Sequence, residues 1–285
     1  MKKSIALLAV LGFIIIIIGL STGILKLYEK FSSTSYSYIS QNLLILKNIK
    51  KTLNNALKEI NNSDIQNIFT TYPPIVSKDE NFILNIEISP VNDKLNINNL
   101  IENNKTNIYI LNTISNILEY YEILDPLFFE DLLLDTLDLD TLERDAYSEI
   151  ILYKDFQNGT IYNYKHFKEI LDYYANIKND KNIYKIPWDK YIFFGDKKKY
   201  ILDCNLIDKN LAKFIGLEFK NDIISCENLI ENNLTQNLNI KPFDKNNSYL
   251  IKVDTNYFLN NQKYNLSFFY DTKTKKAIVE NNFIY

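Results

Sequence analysis

The chain has 285 residues, of which 46% are hydrophobic and 24% are charged, and its formal net charge is −3. A chain of this length can bury one large core or two modest ones. The near-neutral charge excludes the strong basic field of proteins that bind nucleic acid without sequence preference, so no nucleic-acid partner is expected.

The chain begins with a short basic segment and then a long apolar one. Lys2 and Lys3 precede a stretch over 5–25 that contains no charged residue. As a helix this stretch would be about 30 Å long, which matches a bilayer core, whereas a secretory h-region has only about 7–15 residues. The segment predicts one transmembrane helix, and the two lysines favour a cytoplasmic N-terminus.

The helical pattern continues beyond the apolar segment. No glycine occurs between Gly23 and Gly159, and no proline precedes Pro73. Apolar residues recur mostly at steps of three, four and seven, which predicts a single helix over about 5–60 with one stripe packed on a folded head. This stripe consists of Tyr28, Phe31, Ile39, Leu43, Leu46, Ile49, Leu53, Leu57 and Ile60.

Two stretches with strand-like alternation follow. "NFILNIEIS" alternates apolar and polar residues over 82–88, Pro90 and "VND" interrupt the pattern, and "KLNINNL" resumes it. Alternation of this kind is typical of a half-buried strand. We expect the two stretches to form a hairpin.

The region from 99 to 240 is predicted to be mainly helical, and the last 40 residues return to strands. Helix-like apolar spacing occurs in "NIYILNTISNILEYYEIL", "PLFFEDLLLDTLDL", "KHFKEILDYYANI" and "LIDKNLAKFIGL". The C-terminal region contains three apolar or alternating runs separated by "NNQ" and "DTKTKK". These runs predict a small antiparallel sheet.

Together with the opening "KKSIALLAVLGF", this order of elements resembles the type IV pilins and the pseudopilins of type II secretion. The resemblance implies a leader over 1–4 that the prepilin peptidase cuts between Ser4 and Ile5, although Ser4 stands where the family usually has glycine. Ala9 stands where the major subunits carry a glutamate. An unpaired carboxylate in lipid is costly, and in the family its partner is taken to be the amine of a neighbouring subunit. The K-type minor pseudopilin, the proposed tip subunit, lacks this glutamate.

Further stretches resemble the K-type pattern. "LNINNL", the acidic "LLLDTLDLDTLERDAYSE", the aromatic "GTIYNYKHFKEILDYY" and "CNL" at 204–206 occur in the family's order. The resemblance implies an α+β fold in which the long N-terminal helix packs on a small antiparallel sheet. The implied division is an anchor over 5–25, a pilin-like base over 26–98 and 241–285, a helical insert over 99–200 and a second helical module over 201–240.

The acidic stretch is the one candidate metal site. Between Glu119 and Glu149 the chain has 11 Asp or Glu residues and a single Arg. Ca²⁺ takes six to eight hard oxygen ligands, and the K-type family is thought to bind calcium in its helical insert. We predict a structural calcium site, but a solvated acidic surface explains the same residues. The predicted ligands are Asp138, Asp140, Glu143, Asp145 and Glu149.

No catalytic constellation is evident, so an enzyme is not expected. His166 is the only histidine, and six glycines leave no Gly-rich phosphate loop. Cys204 and Cys226 do not have zinc-ligand spacing. In a periplasmic head they could form a disulfide, although two buried free thiols fit the sequence equally well.

The resemblance identifies the chain as a minor pseudopilin at the tip of the type II secretion pseudopilus, acting in its assembly and in protein export. The implied location is the inner membrane, with a periplasmic head, and later the filament tip. Its implied partners are I- and J-type minor pseudopilins, the major pseudopilin, the prepilin peptidase, the secretion platform and secreted proteins. The alternatives are a minor pilin of a type IV pilus or DNA-uptake system, and a signal-anchored periplasmic enzyme or binding protein.

Overall fold

The structure is a computed structural model that describes residues 23, 38–59, 75–79, 82–198, 200–217, 226, 233–242, 244, 249–259 and 262–284. Ser4, Ile5 and Ala9 lie outside the described residues, as does the predicted anchor over 5–25 apart from Gly23. Within the described ranges, no helix combines the length and the apolar character needed to cross a bilayer.

The chain divides into two compact units. The first combines Met1–Pro90 with Lys245–Tyr285, and the second is Val91–Asp244. The second unit is therefore inserted in the sequence of the first. The sequence-based boundaries at 99 and 241 differ from these because Leu95–Asn96 pairs in parallel with Ile192–Phe193, inside the second unit.

The first unit contains one helix and a five-stranded sheet. Helix α1 is Tyr38–Glu59. The strands are β1 Ile75–Asp79, β2 Phe82–Pro90, β9 Leu250–Leu259, β10 Gln262–Asp271 and β11 Lys276–Ile284. Their order is β1-β2-β9-β10-β11, and every neighbouring pair is antiparallel. The predicted α+β class with an antiparallel sheet is confirmed.

Alternating burial explains why these segments form strands. In β9, every second residue from Ile251 to Tyr257 is buried, including Thr255, whereas Lys252, Asp254 and Asn256 are half-buried. In β10, Tyr264 is buried and stacks on Tyr257 of the facing strand, with ring centroids 4.8 Å apart. One face of the sheet is thus apolar, as the period of two requires.

The helix of the first unit buries the three residues of the predicted stripe whose burial the structure describes. Ile49, Leu53 and Leu57 are at most 3% exposed, and they follow one another at steps of four. At the end of α1, the carbonyl of Lys58 accepts a hydrogen bond from Nζ of Lys275, which lies in the turn between β10 and β11 (2.8 Å). This bond joins the helix to the sheet.

The predicted hairpin between 82–88 and 95–97 is wrong. β2 pairs with β1 on one side and with β9 on the other, where Pro90 faces Ile251. The second stretch forms only β3, Leu95–Asn96, before a 3-10 helix over Ile97–Leu100 whose four residues are all buried. The alternation of apolar and polar residues indicated a half-buried strand here. The polar residues of this segment are buried as well, so the alternation does not mark a solvent-exposed face.

The second unit is mainly helical. Its α-helices are α2 Ile108–Tyr120, α3 Pro126–Leu137, α4 Tyr164–Lys178, α5 Trp188–Tyr191, α6 Lys209–Ile215 and α7 Asn233–Asn237. Its short strands are β3, β4 Ile101–Glu102, β5 Lys105–Thr106, β6 Ile192–Phe193, β7 Leu202–Asp203 and β8 Ile240–Lys241. The 3-10 helices Ile150–Leu152 and Asn182–Lys185 complete it. The four longest helices of this unit coincide with the four helical stretches that the sequence predicts, and α4 extends one residue beyond its stretch at each end.

Aromatic side chains fill the core of this unit. Phe129 packs edge-to-face on Tyr174 and lies 5.8 Å from Trp188, which in turn meets Phe167 edge-to-face at 5.3 Å. All four residues are at most 1% exposed. Side-chain oxygens cap the N-termini of the longer helices and satisfy amides that have no partner inside the helix. The capping residues are Asn107, Asp125, Asn163 and Asp208.

Candidate functional site

The acidic loop, residues 138–149, follows α3. Asp125 caps the start of α3 by accepting a hydrogen bond from the Phe128 amide, and Pro126 occupies the first helical position, where no amide donor is needed. The helix ends at Leu137, and the amide of Asp138 still bonds the Leu134 carbonyl (3.0 Å). The helix therefore positions the first candidate ligand.

An ion pair between the buried Asp135 and the exposed Arg144 fixes the loop against α3. Asp135 has no exposed surface, and its carboxylate accepts hydrogen bonds from the Arg144 guanidinium, from the Arg144 amide (3.1 Å) and from the Ser148 hydroxyl. Nη1 of Arg144 also donates to Oδ2 of Asp138 (2.6 Å). The single arginine of this stretch thus bridges two carboxylates. Our sequence analysis missed Asp135, although a lone aspartate in the apolar "LLLDTL" was a signal.

Asp138 and Glu149 each keep one oxygen free. Oδ1 of Asp138 and Oε2 of Glu149 are buried and have no hydrogen-bond partner among the described residues. Burial raises the pKa of both carboxyl groups, although hydrogen bonds from Arg144 and Asn158 respectively lower them. Neighbouring carboxylates raise both pKa values further. A bound cation would favour the ionised form of both carboxylates and so offset the effect of burial.

Asn158 is a neighbour that the sequence analysis did not select. Its Nδ2 donates to Oε1 of Glu149 (2.5 Å) and to the Asp135 carbonyl (3.2 Å), and its Oδ1 is buried without a partner in the described part of the chain. Gly159 follows with φ +94, and a Cβ there would lie 2.7 Å from Cδ2 of Leu139. The dipeptide Asn158-Gly159 was the available signal, since the positive φ at this position favours glycine.

The other three predicted ligands are exposed and bonded to backbone amides of the loop. Asp140, Glu143 and Asp145 are exposed, and each accepts a hydrogen bond from a nearby backbone amide of the same loop. These amides belong to Leu142 (2.9 Å), Tyr147 (3.0 Å) and Ala146 (2.8 Å) respectively. The structure does not bring the five predicted ligands together.

The donor set tests whether a cation fits. Among the described residues, three side-chain ligand atoms of His, Cys, Asp or Glu lie within 4.8 Å of one another only at Asp203, Cys204 and Cys226, and those two thiols are bonded to each other. In the acidic region, the oxygens with free capacity are Oδ1 of Asp138, Oε2 of Glu149 and Oδ1 of Asn158. These are hard donors of the kind that calcium prefers. Their chemistry suits calcium, and a calcium site here stays a prediction.

The two cysteines form a disulfide in the structure. Cys204 and Cys226 are 22 positions apart in the sequence, with 5.3 Å between their Cα atoms. Cys204 is fully buried and follows β7, whose Asp203 amide bonds the Asn92 carbonyl (2.7 Å). The bond therefore attaches Cys226 to the core of the second unit.

A second polar cluster, the asparagine segment (residues 92–99), explains the "LNINNL" motif. Asn98 has no exposed surface. Its side-chain Nδ2 donates to the carbonyls of Ile161 (2.9 Å) and Gly195 (2.8 Å), and its Oδ1 accepts from the Ile161 backbone amide (2.9 Å). Asn96 donates to the Asp196 carbonyl (2.7 Å) and accepts from the Gly195 amide (3.1 Å). These side chains satisfy the buried backbone of two irregular segments.

Comparisons with known proteins reveal a similar fold in a solved structure. No family model matches the chain, and no curated protein sequence matches it. Its structure is similar to a chain of the GspK-GspI-GspJ complex from the enterotoxigenic Escherichia coli Type 2 Secretion System, with a TM-score of 0.54 and 7% identity. The match covers 86% of this chain and 99% of that chain. At this identity the likeness concerns the fold, and it shows that the chain has a pseudopilin-like α+β fold.

Proposed function

We propose that this chain is a K-type minor pseudopilin at the tip of a type II secretion pseudopilus, where it helps to start assembly and to export proteins across the outer membrane. The observation that carries the proposal is the likeness in fold to a chain of the GspK-GspI-GspJ complex. That match covers 86% of this chain and so extends well beyond the inserted unit Val91–Asp244.

Two features favour the tip over the body of a filament. The inserted unit Val91–Asp244 is as large as a small domain, and it adds bulk that regular packing around a filament core would not readily admit. Ala9 replaces the glutamate that in an extending subunit pairs with a neighbouring amine. Both features favour one copy per filament, at the end away from the membrane.

The partners and the location belong to the same proposal. The likeness to a complex of three pseudopilins supports I- and J-type minor pseudopilins as partners. The further partners are the major pseudopilin, the prepilin peptidase, the inner-membrane secretion platform and secreted proteins. The segment over 5–25 would anchor the chain in the inner membrane before assembly. The role is assembly, and no catalytic activity is part of it.

Calcium would serve this role as a structural ion. Asp138, Glu149 and Asn158 would hold it through the oxygens that lack partners among the described residues. When bound, the ion supplies positive charge to carboxylates whose ionisation burial opposes. Asp138 lies next to the end of α3 and Glu149 next to the 3-10 helix Ile150–Leu152, so the ion would tie together the two ends of the acidic loop.

Filament stoichiometry tests the tip assignment. The chain is overproduced together with the major subunit, and its copy number is measured in sheared filaments. A tip subunit gives about one copy per filament and makes filaments fewer or shorter when overproduced. Many copies along the length would contradict the tip assignment and favour an ordinary subunit. Absence from filaments would favour an anchored periplasmic protein of another class.

Leader processing is tested separately. The intact mass of the membrane-extracted chain is measured with and without the prepilin peptidase. The proposal is supported if the mass of a chain that begins at Ile5 is found only when the peptidase is present. A chain that begins at Met1 in both samples contradicts the cut between Ser4 and Ile5 and weakens the pseudopilin assignment.

A further inference from the structure

Three tyrosines and one carboxylate lie close together at the acidic loop. The rings of Tyr147 and Tyr153 lie 5.1 Å apart at 44°, and the hydroxyl of Tyr173 donates to the Tyr147 carbonyl (3.1 Å). Glu143 joins them, because it accepts a hydrogen bond from the Tyr147 amide (3.0 Å), and its carboxylate beside Tyr153 raises the pKa of that hydroxyl to about 12. We call these four residues the tyrosine surface.

The tyrosine surface is open to solvent. Tyr147 is 51% exposed and Tyr153 is 48% exposed, while Leu142, next to Glu143 in sequence, is 74% exposed. Only Tyr173 is partly buried, against the core of the second unit. Clustered apolar side chains left in water commonly mark a surface for a partner.

The charge around the tyrosine surface is negative. Asp140, Glu143 and Asp145 are all exposed. The two basic residues nearest in sequence are already paired: Arg144 binds Asp135 and Asp138, and Lys154 binds Glu169 (3.2 Å). The surface therefore attracts a cation from outside the unit and repels an anionic one, such as a membrane headgroup or a nucleic acid.

Aromatic rings beside a carboxylate are suited to a cationic side chain. A guanidinium or ammonium group is attracted to the face of a tyrosine ring within about 6 Å of its centroid. A carboxylate offers about four acceptor positions, of which the hydrogen bond from the Tyr147 amide to Glu143 uses one. Arginine fits best, since its planar group can stack on a ring and donate to a carboxylate at the same time.

We propose that the tyrosine surface binds an arginine or lysine side chain in a basic segment of a partner protein. The cation lies against the rings of Tyr147 and Tyr153 and pairs with the Glu143 carboxylate. Leu142 supplies apolar contact for the rest of that segment. Glu143 is thereby a contact for a partner, and the calcium prediction rests on Asp138, Glu149 and Asn158.

This inference does not depend on the proposed function. It follows from the side chains of one unit, so a chain that failed the filament tests would still present the same surface. Peptide binding by the isolated chain involves no filament, and the two proposals can fail separately.

The test is direct binding of a defined peptide. The full chain in detergent is titrated into a fluorescently labelled nine-residue peptide of alternating arginine and glycine, and anisotropy gives the Kd. The matched probe replaces each arginine by citrulline, which keeps the shape and removes the charge. We expect the citrulline peptide to bind at least about tenfold more weakly, because it lacks both the ion pair and the cation–ring contact. Equal affinity for the two peptides would overturn the proposal.

Variants separate ring contact from simple charge attraction. Tyr153→Leu keeps every charge, and we expect it to raise the Kd about threefold to fivefold, the size of an exposed cation–ring contact. Tyr153→Phe keeps the ring and should stay close to the unaltered chain. Tyr164→Leu is the control, because Tyr164 is similarly exposed (47%) on α4 and lies outside the tyrosine surface. If Tyr153→Leu binds like the Tyr164→Leu control while its melting temperature is unchanged, the rings do not contribute and the proposal is wrong.

Discussion

The asparagine segment and the acidic loop are two polar regions of the same unit, and they differ in how fully their buried side-chain atoms are hydrogen-bonded. In the first, neutral amides bond to backbone groups of distant segments, and Asn98 uses both its donor and its acceptor atoms. In the second, Asp138 and Glu149 each retain a buried oxygen without a partner among the described residues. A satisfied buried network holds a fold together, whereas spare buried oxygens indicate capacity for a ligand.

The largest effect is expected in the asparagine segment. Asn98→Leu should lower the free energy of unfolding by about 3–5 kcal/mol, because the amide and carbonyl of Ile161 and the carbonyl of Gly195 lose buried partners. Asn237→Ala, which removes one exposed bond inside α7, is the control and should cost less than about 1 kcal/mol. Chemical denaturation of the full chain in detergent measures both. Equal losses would mean that the segment does not depend on its satisfied amides.

The next effect concerns the ion pair under the acidic loop. Arg144→Gln should destabilise the chain by about 3 kcal/mol, because it leaves the buried Asp135 carboxylate without its cation. The double variant Asp135→Asn/Arg144→Gln should recover much of this loss, since it removes the unpaired charge. Lys154→Gln, which breaks a surface pair, is the control and should cost under about 1 kcal/mol. A double variant as unstable as Arg144→Gln would show that charge burial is not the cause.

Calcium should stabilise the acidic loop and leave the asparagine segment unaffected. At one hundred times its Kd, a ligand of the folded state adds about 2.7 kcal/mol, so melting curves in calcium and in chelator should separate. We expect Asp138→Asn/Glu149→Gln to remove the difference and Asp140→Asn to keep it, because Asp140 already accepts from the Leu142 amide. Superimposed curves for the unaltered chain would make the calcium prediction wrong.

The smallest effect is a pH dependence within the asparagine segment. Burial raises the pKa of Asp93 from 3.8 to about 6, although Lys94 partly opposes the shift. Because the folded state holds this proton more tightly than the unfolded state, the contribution of Asp93 to stability is greatest below pH 3.8 and is lost as pH rises through about 6. A shift of about two pKa units is equivalent to at most about 3 kcal/mol. Because the Asp93 side chain is 23% exposed and Asp93→Asn also gives up the contact with Lys94 at 4.0 Å, we expect this variant to remove the decline and to gain only about 1 kcal/mol at neutral pH. Parallel melting curves of the two proteins from pH 4 to pH 8 would contradict it.

Local pattern was sufficient for much of the fold. The stripe through Ile49, Leu53 and Leu57 and the alternation along β9 and β10 predicted the helix and the C-terminal strands, because each residue's burial there depends on its own element. The partner of β2 was not predictable in this way. Its neighbour β9 lies beyond the whole inserted unit, and nothing within 82–97 specifies that pairing.

The candidate site was predicted only as a region. The acidic composition located the loop, but the direction of each carboxylate depends on bonds that spacing does not reveal. Glu143 turns to the Tyr147 amide, while Glu149 turns to Asn158, which composition did not single out. Asp135 was missed because its burial requires Arg144 to fold back across nine positions.

The pairing of β2 with β9 has a consequence for the order in which the protein matures. Phe82 faces Leu259, so the edge that β2 offers to β9 stays open until the entire segment between them has left the ribosome. An open strand edge is a template for pairing with other chains, and contacts so distant in sequence close slowly. The inserted unit Val91–Asp244, all of which precedes β9, can fold during that interval. The newborn chain therefore passes through a period in which its helical half is complete while its sheet still needs protection.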